Sequence, residues 1–207
     1  MQKPVFGRKM ASLPKRLDVV LAPQGAANSS RQWSLAEALA MFMDHATEDA
    51  FFEPHELIAD GWAAFRAYRW AGEIDSRPLS DWLAGSTEAE RSAVRFGLEL
   101  IGRRDVAACL EAGSEPHPTP DMMEIAAEVG DWLRRQEWLV ILGDGDKDFV
   151  YKEVMKRLHR TNPQAAARAG TRRLSRAQAE RLADPAIAGP TVAIGALIAE
   201  VERLPRG

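Results

Sequence analysis

The chain has 207 residues, of which 46 % are apolar, enough to fill one well-packed domain with an appended module. Its 27 basic and 30 acidic side chains leave a formal charge of −3, which excludes a chain that stays disordered through self-repulsion. The longest apolar runs, such as Trp138 to Leu142, fall far short of the roughly 20 residues of a membrane span.

The near-neutral total conceals segregation. Residues 1–31 carry a net +5, residues 32–151 a net −14 and residues 152–207 a net +6. Lys3, Arg8, Lys9, Lys15 and Arg16 resemble a secretory n-region, but the apolar stretch behind them is broken by Asp18 and closed by Pro23, too short for an h-region. Cys109 is the sole cysteine, so no internal disulfide can form. Beside Val106, Ala107 and Leu110 it reads as a buried small hydrophobe. These features lead to the expectation of a cytoplasmic protein with no membrane segment and no cofactor.

In chain order, residues 1–32 read as a basic flexible arm with one β-like run, Leu17 to Ala22, that adds a strand or packs on the surface. Ser34 and Glu37 have the spacing of a capping box ahead of a helix presenting Leu35, Leu39, Phe42 and Met43. Pro54 suits the first position of a second helix, with Leu57, Ile58, Trp62, Phe65 and Tyr68 along one stripe and Gly72 at its end. Thr87 and Glu90 form another capping box, and Val94, Leu98 and Ile101 face inward behind it. A short helix from Asp105 to Glu111 stops at Gly113. Thr119 and Pro120 open the next helix, whose apolar face is Met122, Ile125, Ala126, Val129, Trp132 and Leu133. Trp138–Leu142 fits either a buried strand or a helix end. After Gly143-Asp-Gly-Asp146 a helix runs to about Arg160. Ser175 with Gln178 is a third capping box, and the last helix shows Ile194, Leu197, Ile198, Val201 and Leu204.

The expected fold is therefore all-α: an irregular bundle of about six to eight helices across 33–160, with one short strand pair as an option. Residues 33–160 form its acidic domain, and 161–207 a basic connector ending in an amphipathic helix that docks on this domain or on another subunit.

Four constellations could carry chemistry. Asp144, Asp146 and Asp148 alternate behind an apolar run, a pattern that can converge on Mg²⁺ or Ca²⁺ and support a metal-dependent hydrolase. Phe149 and Met155 stand where a calcium-binding loop requires Gly and Glu, so the plain alternative is a polar break that caps the next helix. The group Asp44, His45, Glu48, Asp49, Glu53, His55 and Glu56 could bring two metal ligands together on one helical face, but it lacks the spacing of a zinc site and reads equally as a solvated helix end. Gly143 and Gly145 lack the third glycine of a dinucleotide fingerprint. Lys152, Lys156 and Arg160 are four apart on one face, and with Arg172, Arg173 and Arg176 they could neutralise nucleic-acid phosphates or pair with the acidic middle.

Gly61-Trp-Ala-Ala-Phe65-Arg-Ala-Tyr68, Leu98-Glu-Leu-Ile-Gly102, Ala107-Ala-Cys-Leu-Glu-Ala112 and Phe149–Pro163 resemble segments of a family of small all-helical bacterial proteins that includes a DNA-mimic protein. The likeness covers about half the chain, and the family's Asn-Gly-Gly-Phe turn is represented here by Asp60-Gly61-Trp62. The resemblance implies a helical domain whose carboxylates imitate phosphates and occupy a DNA-binding partner. The leading expectation is a non-enzymatic regulatory protein that binds a protein partner. Nucleic-acid binding through 152–181 and metal-dependent hydrolysis are the alternatives, and the C-terminal helix could support an oligomer.

Overall fold

The computed structural model describes residues 17–143, 148–162, 164–171 and 194–205. Among them are ten α-helices and one two-stranded parallel sheet, and seven of the helices lie within 33–160, as the periodicity predicts. No helix among the described residues is long and apolar enough to cross a membrane.

The chain opens with β1 (Val20–Pro23) and a single helical turn, α1 (Gln24–Ala27), before α2 (Ser34–Glu48). A 3₁₀ turn at Pro54–Glu56 leads to α3 (Ala59–Ile74), α4 (Leu79–Gly85), α5 (Glu88–Leu100), α6 (Arg104–Ala112) and α7 (Met122–Leu133). Then come β2 (Leu139–Leu142), α8 (Phe149–Arg157), a 3₁₀ turn at Leu158–Thr161, α9 (Ala165–Thr171) and α10 (Ile194–Glu202).

The two short apolar runs that periodicity could not assign are partners. β1 and β2 pair in parallel, with Val20 opposite Leu139 and Pro23 opposite Leu142. Two strands alone are marginal in water, and here β1 is packed against α2, with Val20, Leu21 and Ala22 fully enclosed. A parallel pair requires a crossover, and α1 to α7 supply it. Upstream, Leu17 forms a parallel bridge with Leu57 and donates its N–H to the Glu56 carbonyl at 3.1 Å. Residues 17–32, assigned to the arm from their composition, are thus built into the domain, because Leu17, Val20 and Leu21 supply core side chains that the basic and small residues around them obscure.

The centre of the bundle is the α3–α5 contact. A Cβ on Gly97 would lie 2.1 Å from the Ala63 carbonyl oxygen, so the absence of a side chain there sets how closely the two helices approach. Trp70 and Trp82 meet edge-on at 6.3 Å, a favoured aromatic geometry, and tie α4 to α3. At the other end of the chain, α10 packs on α8 and places Leu197 and Val201 in the same core. The amphipathic last helix therefore docks on its own chain.

Several boundaries differ from the sequence reading. Trp33, not Ser34, takes the N-cap of α2, and the Ser34 hydroxyl donates to Ser29 Oγ at 2.9 Å, so no capping box forms there. Pro54 opens only a 3₁₀ turn, and α3 runs past Gly72 to Ile74. Asp121 replaces Thr119 as the cap of α7, its Oδ1 accepting from the Met123 N–H at 2.6 Å. The Thr87–Glu90 box is present in both directions. Gly113 ends α6 in the left-handed region at φ 65°, where glycine carries no Cβ penalty. Ser175 and Gln178 lie outside the described residues.

Candidate functional site

The acid of the middle segment is spread along it, and the stretch from α5 to α7 carries one share. Residues 88–133 hold ten carboxylates against four arginines. Arg103, at the junction of α5 and α6, faces three of them: Glu128 at 3.2 Å, Asp105 at 3.6 Å and Glu124 at 3.8 Å. Glu124 and Glu128 are one helical turn apart, so both project from the same side of α7. Arg95 is similarly shared between Glu111 at 3.3 Å and Glu88 at 3.9 Å. Glu88, Glu111, Asp105 and Glu124 are all more than 60 % exposed, which leaves their unshared oxygens open to a partner. One guanidinium among three carboxylates leaves a negative surplus, and the field of such a surplus reaches about 8–10 Å at physiological salt.

The basic segment is organised differently. Lys156 and Arg157 both pair with Glu153, at 2.6 and 3.2 Å, and Arg160 pairs with Glu200 of α10 at 3.0 Å. The Lys156 hydrogen bond is the main reason the Glu153 carboxyl is held below its ordinary range. Lys152 forms no ion pair among the described residues and is exposed. Arg172, Arg173 and Arg176 lie outside the described residues. Lys152 and Lys156 lie one turn apart on α8, whereas Arg160 lies in the 3₁₀ turn after it, and Lys156 and Arg160 are neutralised in place.

A further arginine clasps the two regions together. Arg168 on α9 forks onto Glu56, with Nη2 donating to Oε1 at 3.1 Å and Nη1 to Oε2. Nη1 also donates to the Phe51 carbonyl at 2.7 Å. Glu56 is 5 % exposed, and its Oε2 accepts the Glu53 N–H at 2.9 Å. The hydrogen bond to Glu56 pushes the Arg168 guanidinium above its ordinary range. Asn162 Nδ2 donates to the Ala50 carbonyl at 2.9 Å, and Phe51, with φ 61°, packs on Ala165 and Ala169. Of the acid-and-His group of 44–56, Glu56 is thus engaged by the connector.

His45 is engaged by α8 instead. Its Nδ1 lies 2.5 Å from Asp49 and its Nε2 lies 2.6 Å from the Met155 carbonyl oxygen. Both ring nitrogens are occupied, so the imidazole joins α2 to α8 rather than offering a metal ligand. Among the described residues, no group of three or more His, Cys, Asp or Glu side chains could hold a metal.

Asp144 and Asp146 lie outside the described residues. Asp148 sits in the left-handed region at φ 54° and makes no side-chain cap on α8. Its carboxylate turns toward α1, accepting from the Gly25 N–H at 3.5 Å. Asp148 thus holds the N-cap position of α8 without the side-chain bond expected of a cap. Nearby, burial first and then Asp148 push the Tyr151 hydroxyl up to about 12. Cys109 is half-buried on α6, less enclosed than its apolar neighbours suggest.

The Arg103 cluster and the Arg168 clasp were not singled out from the sequence. The i,i+4 pair Glu124–Glu128 beside the apolar face of α7 is the available signal for the first. Nothing local signals the second, because its partners are remote in the chain. Comparison with family models, curated proteins and solved structures returns no match for this chain.

Proposed function

We propose that this chain is a non-enzymatic interaction protein whose acidic α5–α7 surface engages a basic surface on another protein. The observation that carries this reading is the Arg103 cluster, one cation at the α5–α6 junction facing three carboxylates on α6 and α7. Surplus charge on a rigid helical surface steers association and selects partners of opposite sign. The resemblance to a family that includes a DNA mimic points the same way, with a DNA-binding protein as the partner class.

Nucleic-acid binding through 152–181 is the second reading, and the exposed Lys152 favours it. The pairing of Lys156 with Glu153 and of Arg160 with Glu200 weighs against it, since phosphates would have to compete with carboxylates already in place. Immobilised full-length chain, exposed to extract of its native host over a salt series, is expected to retain a basic protein at low salt and release it as salt rises. Retention of nothing at any salt contradicts the proposal.

A further inference from the structure

A cavity of about 300 Å³ lies between α1, residues 29–31 and α2. It shares no residue with the acidic α5–α7 face. Ser34, Glu37, Ala38 and Met41 line it from α2, and their spacing of three and four residues places them on one stripe of that helix. Ser29 and Arg31 line it from the preceding loop. We propose that this cavity binds a free α-amino acid with an apolar side chain, held at its carboxylate by Arg31 and Ser29 and at its ammonium by Glu37.

Three observations select that ligand. The first is a pair of opposite charges left apart. Arg31 and Glu37 both line the cavity and are exposed, and neither forms an ion pair among the described residues. Glu37 lies in the first turn of α2, where a carboxylate complements the helix dipole. That accounts for Glu37 alone and leaves the Arg31 guanidinium without a counter-charge.

The second observation is the set of donors beside Arg31. Ser29 Oγ accepts the Arg31 N–H at 3.1 Å and the Ser34 hydroxyl at 2.9 Å. Its own proton is left to donate, and no acceptor among the described residues takes it. The Ser34 N–H donates to the Arg31 carbonyl at 3.2 Å, so the loop that carries Arg31 is fixed to the start of α2. No side chain caps that start, and its first-turn N–H groups carry positive partial charge. A guanidinium, a free hydroxyl proton and an uncapped helix start together suit a carboxylate.

The third observation is scale. Ser34 and Glu37 are three residues apart, about 4.5 Å along the helix, so the acceptor for an ammonium stands close to the donors for a carboxylate. An α-amino acid carries both groups on one carbon. The rest of the lining includes Pro23, Ala26, Ala38 and Met41, and Met41 is 62 % exposed. An aliphatic side chain laid on these residues removes apolar surface from water. A volume of about 300 Å³ is at the small end for ligand sites, which suits a free amino acid better than a nucleotide or a peptide.

The test uses the full chain with L-leucine, L-methionine and L-valine as probes, titrated by ligand-observed saturation-transfer NMR. At least one is expected to bind. Its N-acetyl and carboxamide derivatives, each lacking one charge, are expected to bind more weakly by roughly tenfold or more. Arg31→Gln and Glu37→Gln are each expected to weaken binding by roughly tenfold, with helical circular dichroism intact. Binding of none of the probes overturns the proposal. So does binding that a folded Arg31→Gln or Glu37→Gln chain retains in full, or a derivative that binds as well as its parent amino acid. If a variant fails to fold, the derivatives decide the question.

Discussion

At the scale of single residues, the Glu56–Arg168 pair is the most consequential ionic contact. Glu56 is enclosed, and its oxygens are satisfied by one guanidinium and one backbone N–H. Removing one partner of a buried pair strands the other charge in a poorly solvated site. Arg168→Ala is therefore expected to cost about 3 kcal/mol, read from the denaturation midpoint, and Glu56→Gln less, because the amide retains an acceptor for the Glu53 N–H. Equal and negligible costs would show that the connector does not depend on this contact. Thr87 and Glu90 give a pH-dependent example. Hydrogen bonds from the Thr87 backbone and then its side chain hold the Glu90 carboxyl below its ordinary 4.5. A lowered folded value adds stability above the unfolded value and loses it as the pH falls through the folded value. Thr87→Ala should thus cost about 1 kcal/mol near neutrality. The gap between thermal melts of variant and parent should narrow as the pH falls below the ordinary 4.5, leaving the part due to the Glu90 N–H bond to Thr87 Oγ1, which does not titrate.

At the scale of elements, helices with a continuous apolar stripe were legible. The faces of α5, α7 and α10 are those that their i, i+3 and i+4 spacings specify. By contrast, α3 encloses Ala63, Ala64, Ala67, Trp70 and Ala71 and leaves Trp62 and Tyr68 of the expected stripe only partly buried. Helix ends were less legible, since a cap depends on which oxygen reaches an N–H: Ser34 bonds Ser29 instead of opening α2. The strands were only half legible, because Val20–Pro23 and Leu139–Leu142 look like any short apolar run until each has the other as a partner. Gly97 shows what a local pattern cannot reveal. Its role is visible only against the Ala63 carbonyl on the facing helix. Gly97→Ala is expected to cost about 2 kcal/mol through overpacking, a fall in Tm of roughly 4–8 °C for a chain this long. Gly85→Ala, where an added Cβ meets nothing within 4 Å, should leave Tm almost unchanged. A harmless Gly97→Ala would mean that the α3–α5 approach is looser than described.

At the scale of the whole molecule, the segregated charge becomes an arrangement in space. The acidic middle is not uniformly exposed: Glu56 and Asp49 are engaged by the connector and by His45, whereas the α5–α7 carboxylates crowd around too few arginines. The basic end is likewise partly consumed, with Lys156, Arg157 and Arg160 each held by a carboxylate. Composition revealed the imbalance but not which charges cancel, since cancellation depends on contacts such as Arg160–Glu200 and Arg168–Glu56 that join remote segments. Exposed pairs contribute little to stability individually, so charge on these faces can be altered without unfolding the chain.

The most direct test of the acidic-face reading compares two charge-reversed full-length chains with the parent for retention of the native-host partner. One carries Glu124→Lys and Glu128→Lys, the other Lys152→Glu and Lys156→Glu. The account predicts that the first loses retention at low salt while the second keeps it, with helical circular dichroism unchanged in both. Retention that survives reversal on α7 and disappears on reversal of α8 would contradict it and move the function to the basic face.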